Sequence, residues 1–278
     1  KNKKPELRDY LSKFRLRPVL TAHPTQFYPG SVLGIITDLA SAVKENDLAQ
    51  IKIILSQLGK TPFFKNKKPT PYDEAVSLTW YLSNVFYNSI SNIYKYIKSN
   101  IFDGEDFNND IINLGFWPGG DRDGNPFVTT EITLSTARKL RSDVIKNYYR
   151  DIRKLRRRLT FKNIDTIVVN IENRLYKSIF NDDNPPEISL EELKSKLYQI
   201  KEILTNEHKS LFIDDLDDLI NKVNIFGYHF ASLDIRQDSR IHSKVFENIF
   251  KIAQKSLIKI FPTNYLNLSE EKKIKVLS

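Results

Sequence analysis

The 278-residue chain has no cysteine and no methionine, only nine glycines, and no run of 18 apolar residues. Without cysteine there is no disulfide, no thiolate zinc site and no cysteine nucleophile, which suits a reducing compartment. Without a long apolar run there is no membrane-spanning helix. The first ten residues, Lys1 to Tyr10, carry no apolar signal-peptide core, so a cytoplasmic location is expected. The absence of methionine even at position 1 predicts that residue 1 is not a natural start. What remains is ordinary: 40% hydrophobic and 28% charged residues. That composition excludes collagen, low-complexity disorder and a small disulfide scaffold, and it can bury a sizeable core.

The net charge of +9 is local. Residues 138–162 hold eleven Lys and Arg against Asp143 and Asp151, so this segment carries the whole excess. A solvated helix face, or a contact with an acidic protein surface, is the first reading of such a run. A nucleic-acid-binding helix, or a noncatalytic assembly module built on the same residues, is the alternative.

Most of the chain reads as helix, organised as one domain over 1–278. Helical elaborations are expected at 30–110 and 130–224. Asp47 and Thr70 are cap candidates, Thr70 being followed by Pro71, Asp73 and Glu74. Val76, Trp80, Val85, Ile90, Ile93 and Ile97 recur at near-helical spacing and predict a buried face. Leu140, Val144, Tyr148, Ile152, Leu155 and Leu159 predict another. Ser189-Leu190-Glu191-Glu192 reads as a capping box, and Ser239 opens a further helix. Apolar runs near 17–23 and 227–236 predict two short strands. Residues 114–130 read as a break, with four of the nine glycines between 115 and 124.

Three stretches could carry chemistry. In Thr21-Ala22-His23-Pro24-Thr25-Gln26, Pro24 keeps His23 out of helical geometry and at a strand end. An imidazole there suits proton transfer at neutral pH, or simply hydrogen-bonds a backbone carbonyl. In Gly115-Phe116-Trp117-Pro118-Gly119-Gly120-Asp121-Arg122-Asp123-Gly124-Asn125-Pro126, glycines allow close backbone approach and Arg122 lies between two Asp that could hold it by ion pairs. The Asp-x-Asp-x-Asn spacing fails as a calcium loop, because Pro126 stands where glycine is needed and Ile132 where the last glutamate belongs. In Leu233-Asp234-Ile235-Arg236-Gln237, the strand period of two puts Asp234 and Arg236 on one face. Arg236 could present a bidentate fork to phosphate, or pair internally with an Asp.

In order, TAHPT, GGDRDGNP and LDIRQ, with Arg240 and His242 following, resemble phosphoenolpyruvate carboxylase from about Arg17 to His242. The resemblance implies carboxylation of phosphoenolpyruvate with bicarbonate to oxaloacetate and phosphate, through carboxyphosphate and an enolate. It implies His23 as the catalytic base, with Arg236, Trp117 and Arg122 as substrate-binding residues. Gly119, Gly120, Asp121, Asp123 and Asn125 would shape the pocket. Mg²⁺ or Mn²⁺ serves the full-length family enzyme, but its ligands lie beyond the DIRQ segment, so none is expected in this chain. The implied fold is mainly α with a few short strands: part of a β/α barrel wrapped in helices, the barrel incomplete here. A full-length form would be a homo-oligomer with no membrane or nucleic-acid partner, and this chain, a fragment, would be inactive alone. One departure stands out: Gln26 replaces the family's Glu and removes a charge beside the imidazole.

Overall fold

The computed structural model describes residues 3–21, 30–63, 69–105, 111–123, 125–180, 185–255, 262 and 264–277. In chain order the elements are α1 (Lys4–Lys13), β1 (Val19–Leu20), α2 (Gly30–Lys44), α3 (Leu48–Lys60) and α4 (Pro71–Tyr81). A π-helical turn (Leu82–Phe86) joins α4 to α5 (Tyr87–Asn100). Then come β2 (Gly115–Phe116), α6 (Thr130–Arg156), α7 (Asp165–Ile179), α8 (Leu190–Glu207), α9 (Ile213–Phe226) and β3 (Ser232–Leu233). The last elements are α10 (Ser239–Lys255), a short 3₁₀ turn (Tyr265–Asn267) and α11 (Glu270–Leu277).

The three strands form one parallel sheet in the order β1-β2-β3, with Val19, Gly115 and Ser232 in register and Leu20, Phe116 and Leu233 in the next row. Alternation splits the faces. Phe116 is fully buried, and Leu20 and Leu233 pack with it on the helical core. Arg17, Val19, Trp117 and Asp234 fall on the other face. Parallel strands need long crossovers, and here those crossovers are the helices. The expected strands prove shorter than the apolar runs that suggested them, and the central strand, β2, falls inside the glycine-rich break.

The second run shows why. Gly227 and Phe230 have positive φ (52° and 53°), so residues before Ser232 turn rather than extend. The turn is held from beneath. Tyr148 Oη donates to Gly227 O at 2.6 Å, and Tyr228 Oη donates to Ile188 O at 2.8 Å. Burial, with the neighbouring Tyr228 adding to it, raises the Tyr148 pKa well above its usual value, so this hydroxyl stays a donor. Phe226, Phe230 and Tyr87 pack their rings together below. Tertiary packing of three aromatics thus overrides the strand propensity of the segment.

The long helix α6 buries the stripe that its sequence predicts: Leu140, Val144, Tyr148, Ile152 and Leu155, with Leu159 just beyond its end. The α4–α5 stripe is a correction. Val76, Trp80, Val85 and Ile93 are exposed, while Ala75, Thr79, Leu82, Tyr87, Ile90 and Tyr94 are buried. The π-turn inserts one residue between Leu82 and Tyr87, which shifts the inward face and defeats a uniform 3.6 period. Of the expected caps, the Asp47 side chain accepts from Ala49 N and Gln50 N, and Thr70 forms a reciprocal capping box with Asp73. Ser189 accepts from Glu192 N, but the Glu192 carboxylate is drawn to Arg174 instead of closing its box. Thr70→Ala is expected to lower stability by about 1 kcal/mol, read as a shift in urea midpoint with unchanged slope.

A buried ion network joins α5, α6 and α9. Lys222 Nζ lies 3.0 Å from Asp151 and 2.7 Å from Asp218, with its side chain only 5% exposed. Tyr87 Oη donates to Asp151 Oδ2 at 2.9 Å, and Ser91 Oγ to Asp218 Oδ1 at 2.8 Å. Lys222 also sits 4.5 Å from the centre of the Tyr87 ring. Burial, and then the Asp151 charge, push the Tyr87 hydroxyl well above its ordinary pKa and keep it protonated.

Candidate active site

β2 delivers Trp117 to the sheet face turned away from the helical core. The Trp117 amide donates to Leu20 O at 3.0 Å and ties the residue to the end of β1. The chain then turns tightly: the amides of Gly120 and Asp121 both donate to Trp117 O at 2.9 Å. Two glycines make that turn possible. Gly119 has φ of 79°, and a β-carbon there would lie 2.1 Å from Thr136 Oγ1. A β-carbon on Gly120 would lie 2.4 Å from the Asp234 carbonyl oxygen. Thr133 Oγ1 donates to Gly119 O at 2.7 Å, so the first turns of α6 clasp the loop.

The loop runs on beside β3. Arg122 N donates to Arg236 O at 2.9 Å, Arg236 N to Gly120 O at 3.3 Å, and Asp121 bridges Arg236 as a strand partner. The side chains then interlock. The Arg236 guanidinium carbon lies 3.9 Å from the centre of the Trp117 ring. Arg236 Nη2 donates to Asp121 Oδ2. Trp117 Nε1 donates to Asp234 Oδ2 at 3.1 Å. Arg17, one turn of pleat below β1, donates to the other oxygen of Asp234. Arg236 thus pairs internally with an Asp, one of the two readings of its motif, but the partner is Asp121, while Asp234 on the same face pairs with Arg17. At the position of Asp121, burial works against ionisation, but the Arg236 side chain and the Asp123 amide outweigh it, so its pKa is lowered. The stability of that pair is full at neutral pH and is lost only as pH falls through the lowered folded value.

A cavity of about 810 Å³ opens against the same loop, lined among others by Pro69, Thr70, Trp117, Asp121, Asp123 and Phe127. The start of α4 is its second wall, a contribution with no signal in the sequence. Asn125 also lines it, and its side chain accepts from Phe127 N at 3.1 Å. Arg122 does not sit in an Asp cage. Its Nη2 donates to Thr133 Oγ1 at 3.2 Å, its Nε is buried without a partner, and no ion pair to Asp121 or Asp123 occurs among the described residues. The Asp121 carboxylate is taken by Arg236 instead, and the Arg122 side chain turns toward α6. Thus Trp117, Gly119, Gly120, Asp121, Asp123, Asn125 and Arg236 form one neighbourhood, and Arg122 backs it. His23 and Gly124 lie outside the described residues. Among the described residues no group of three or more His, Asp or Glu could hold a metal ion.

Six of the eleven basic residues of the 138–162 segment form ion pairs with four carboxylates. Lys139 and Lys146 pair with Asp143, Lys154 with Asp151, Arg153 and Arg156 with Glu172, and Arg158 with Asp215. No helix among the described residues is long and apolar enough to cross a membrane.

Comparison with known proteins agrees with the motifs. The sequence model of the family described as phosphoenolpyruvate carboxylase matches residues 1–189 and 173–278. A phosphoenolpyruvate carboxylase of Shewanella sediminis (strain HAW-EB3) is 27% identical, over 85% of this chain and 32% of the relative. One of Rhodopseudomonas palustris (strain ATCC BAA-98 / CGA009) is 24% identical, over 98% of this chain and 35% of the relative. The chain spans about a third of the length of these curated relatives.

Proposed function

The chain belongs to the phosphoenolpyruvate carboxylase family, and from that premise we propose that it supplies the phosphate clamp, the carbon dioxide wall and the general base of such an enzyme. The reaction joins phosphoenolpyruvate and bicarbonate to give oxaloacetate and phosphate. Bicarbonate oxygen attacks the phosphoryl group, forming carboxyphosphate and the enolate of pyruvate. His23 takes the carboxyphosphate proton, carbon dioxide leaves phosphate, and the enolate carbon attacks it. The divalent cation used by the family, Mg²⁺ or Mn²⁺, would steady the enolate oxygen and be held by residues outside this chain. In the whole protein the three parallel strands would begin a β/α barrel, in a cytoplasmic homo-oligomer.

The observation that carries this reading is the stack of Arg236 on Trp117. It brings a charged fork and an apolar wall, 119 positions apart in sequence, onto one face of the sheet. Only Nη2 of Arg236 is engaged by Asp121, and the side chain is 44% exposed. The remaining guanidinium donors can meet phosphate. The indole beside them keeps water from an enolate that would otherwise be protonated to pyruvate.

The test is a coupled oxaloacetate assay. Residues 1–278 alone are expected to give no turnover with phosphoenolpyruvate, bicarbonate and Mg²⁺. In a polypeptide of the relatives' length carrying this chain, Arg236→Gln is expected to lower kcat/KM by about 100-fold or more. His23→Asn is expected to lower carboxylation by about 100- to 10,000-fold. Normal carboxylation by the His23 variant would remove that imidazole from the chemistry.

A further inference from the structure

We propose that Arg17 is a positioning residue for Trp117, acting through Asp234. The Asp234 carboxylate is shared between them: Oδ1 accepts from Arg17 and Oδ2 from the indole Nε1 at 3.1 Å. The backbone of Asp234 is fixed as well, its amide donating to Phe116 O at 2.9 Å. Arg17 reaches this carboxylate from just before the first strand by crossing β2 at Gly115, where a β-carbon would lie 3.2 Å from Arg17 Nε and 2.9 Å from Val19 Cγ2. No other residue type at 115 leaves that crossing clear.

Two consequences follow from the charges. The indole has one hydrogen-bond donor, and Asp234 consumes it. Trp117 therefore turns only ring carbon toward the neighbouring space, a surface suited to a neutral, linear molecule such as carbon dioxide and poor for water. Arg17 also neutralises a carboxylate that lies within electrostatic reach of Arg236. Without Arg17, Asp234 would compete with Asp121 for the Arg236 guanidinium and draw it off the indole face. Arg17 thus sets the ring by its edge and leaves Arg236 to set it by its face.

The positioning stands on geometry alone; its catalytic meaning rests on the reading of Trp117 as a pocket wall. The experiment separates the two. Trp80, the other of the two tryptophans and 39% exposed, is replaced by Phe so that Trp117 alone reports. Acrylamide quenching of Trp117 in the 278-residue chain is expected to rise about twofold or more in Arg17→Met, since losing a charge-assisted hydrogen bond frees the ring. Arg17→Lys is expected to recover at least about half of the change, because it restores the charge that holds Asp234. Asp234→Asn should give a change like that of Arg17→Met, and the double variant should show no further increase. Unchanged quenching in Asp234→Asn, or full additivity in the double variant, overturns the proposal, and the isosteric Asn variant serves if Arg17→Met fails to fold. In a polypeptide of the relatives' length, Arg17→Met is expected to raise the ratio of pyruvate to oxaloacetate severalfold. Altered quenching with an unaltered product ratio would keep the positioning and overturn the wall reading instead.

Discussion

Lys222→Met is expected to lower the stability of the chain by about 3–5 kcal/mol, the usual cost of stranding a buried charge by removing its partner. Methionine keeps the length of the side chain and fills most of its space. What it cannot do is answer Asp151, whose side chain is 14% exposed, and Asp218, whose side chain is 34% exposed. Tyr87 and Ser91 would still donate one hydrogen bond to each, but the two like charges would face each other with no buried cation, only the exposed Lys154 remaining at 3.2 Å from Asp151. The damage spreads beyond the network. Lys222 lies on α9, whose end leads through Gly227 into the turn before β3, so a loosened α9 loosens the strand that carries Asp234 and Arg236. Urea unfolding followed by circular dichroism measures the loss. Adding Asp151→Asn to Lys222→Met is expected to recover part of it, by removing one stranded charge. A variant as stable as the parent would mean that Lys222 contributes no net stabilisation where it sits.

Gly119→Ala is expected to cost about 3 kcal/mol from two sources. At φ of 79° any β-carbon is strained. The new methyl would also lie 2.1 Å from Thr136 Oγ1 and 2.8 Å from Thr136 Cβ, on a side chain with no exposed surface. The rigid part is α6, a helix of 27 residues packed along its inner face, so the loop must move rather than the helix. Movement of the loop takes Asp121 and Trp117 with it, since both Gly120 N and Asp121 N donate to Trp117 O. The expected signature is therefore double: a lower unfolding midpoint, and changed fluorescence from Trp117 as it parts from Arg236. Thr136→Ala in the same chain should restore part of the midpoint, because it removes the closest atom of the collision and Thr136 Oγ1 makes no hydrogen bond of its own. Full recovery would show that the left-handed backbone at 119 carries no cost, and no recovery would show that the collision carries none.

How much of this was legible beforehand depends on the range of the interaction. Caps at Asp47, Thr70 and Ser189 could be read because the donor and acceptor lie within three residues. The inner face of α6 could be read because one unbroken period runs its whole length. The inner face of α4–α5 could not, since a single inserted residue at Leu82–Phe86 rotates the second half. β2 was hidden as well: two residues, Gly115 and Phe116, carry no period of their own, and only pairing on both sides makes them a strand. At the site, Trp117, the glycine pair and Arg236 stood out by motif. Arg17 and the wall at Pro69–Glu74 had no local mark, because each acts on residues far along the chain.

The family, the helical character, most helix starts and the identity of the residues around Trp117 can be read from the order of residues alone. Those depend on local chemistry: cap hydroxyls, uninterrupted periods, and a string of residue types too specific for a surface turn. The partners were set in three dimensions. The fold paired Arg236 with Asp121 rather than Asp234, gave Asp234 to Arg17 and the indole, and turned Arg122 back onto α6. Pairing of that kind is a matter of distance in space, and three parallel strands joined by long helical crossovers set those distances without leaving a trace in the spacing of the residues.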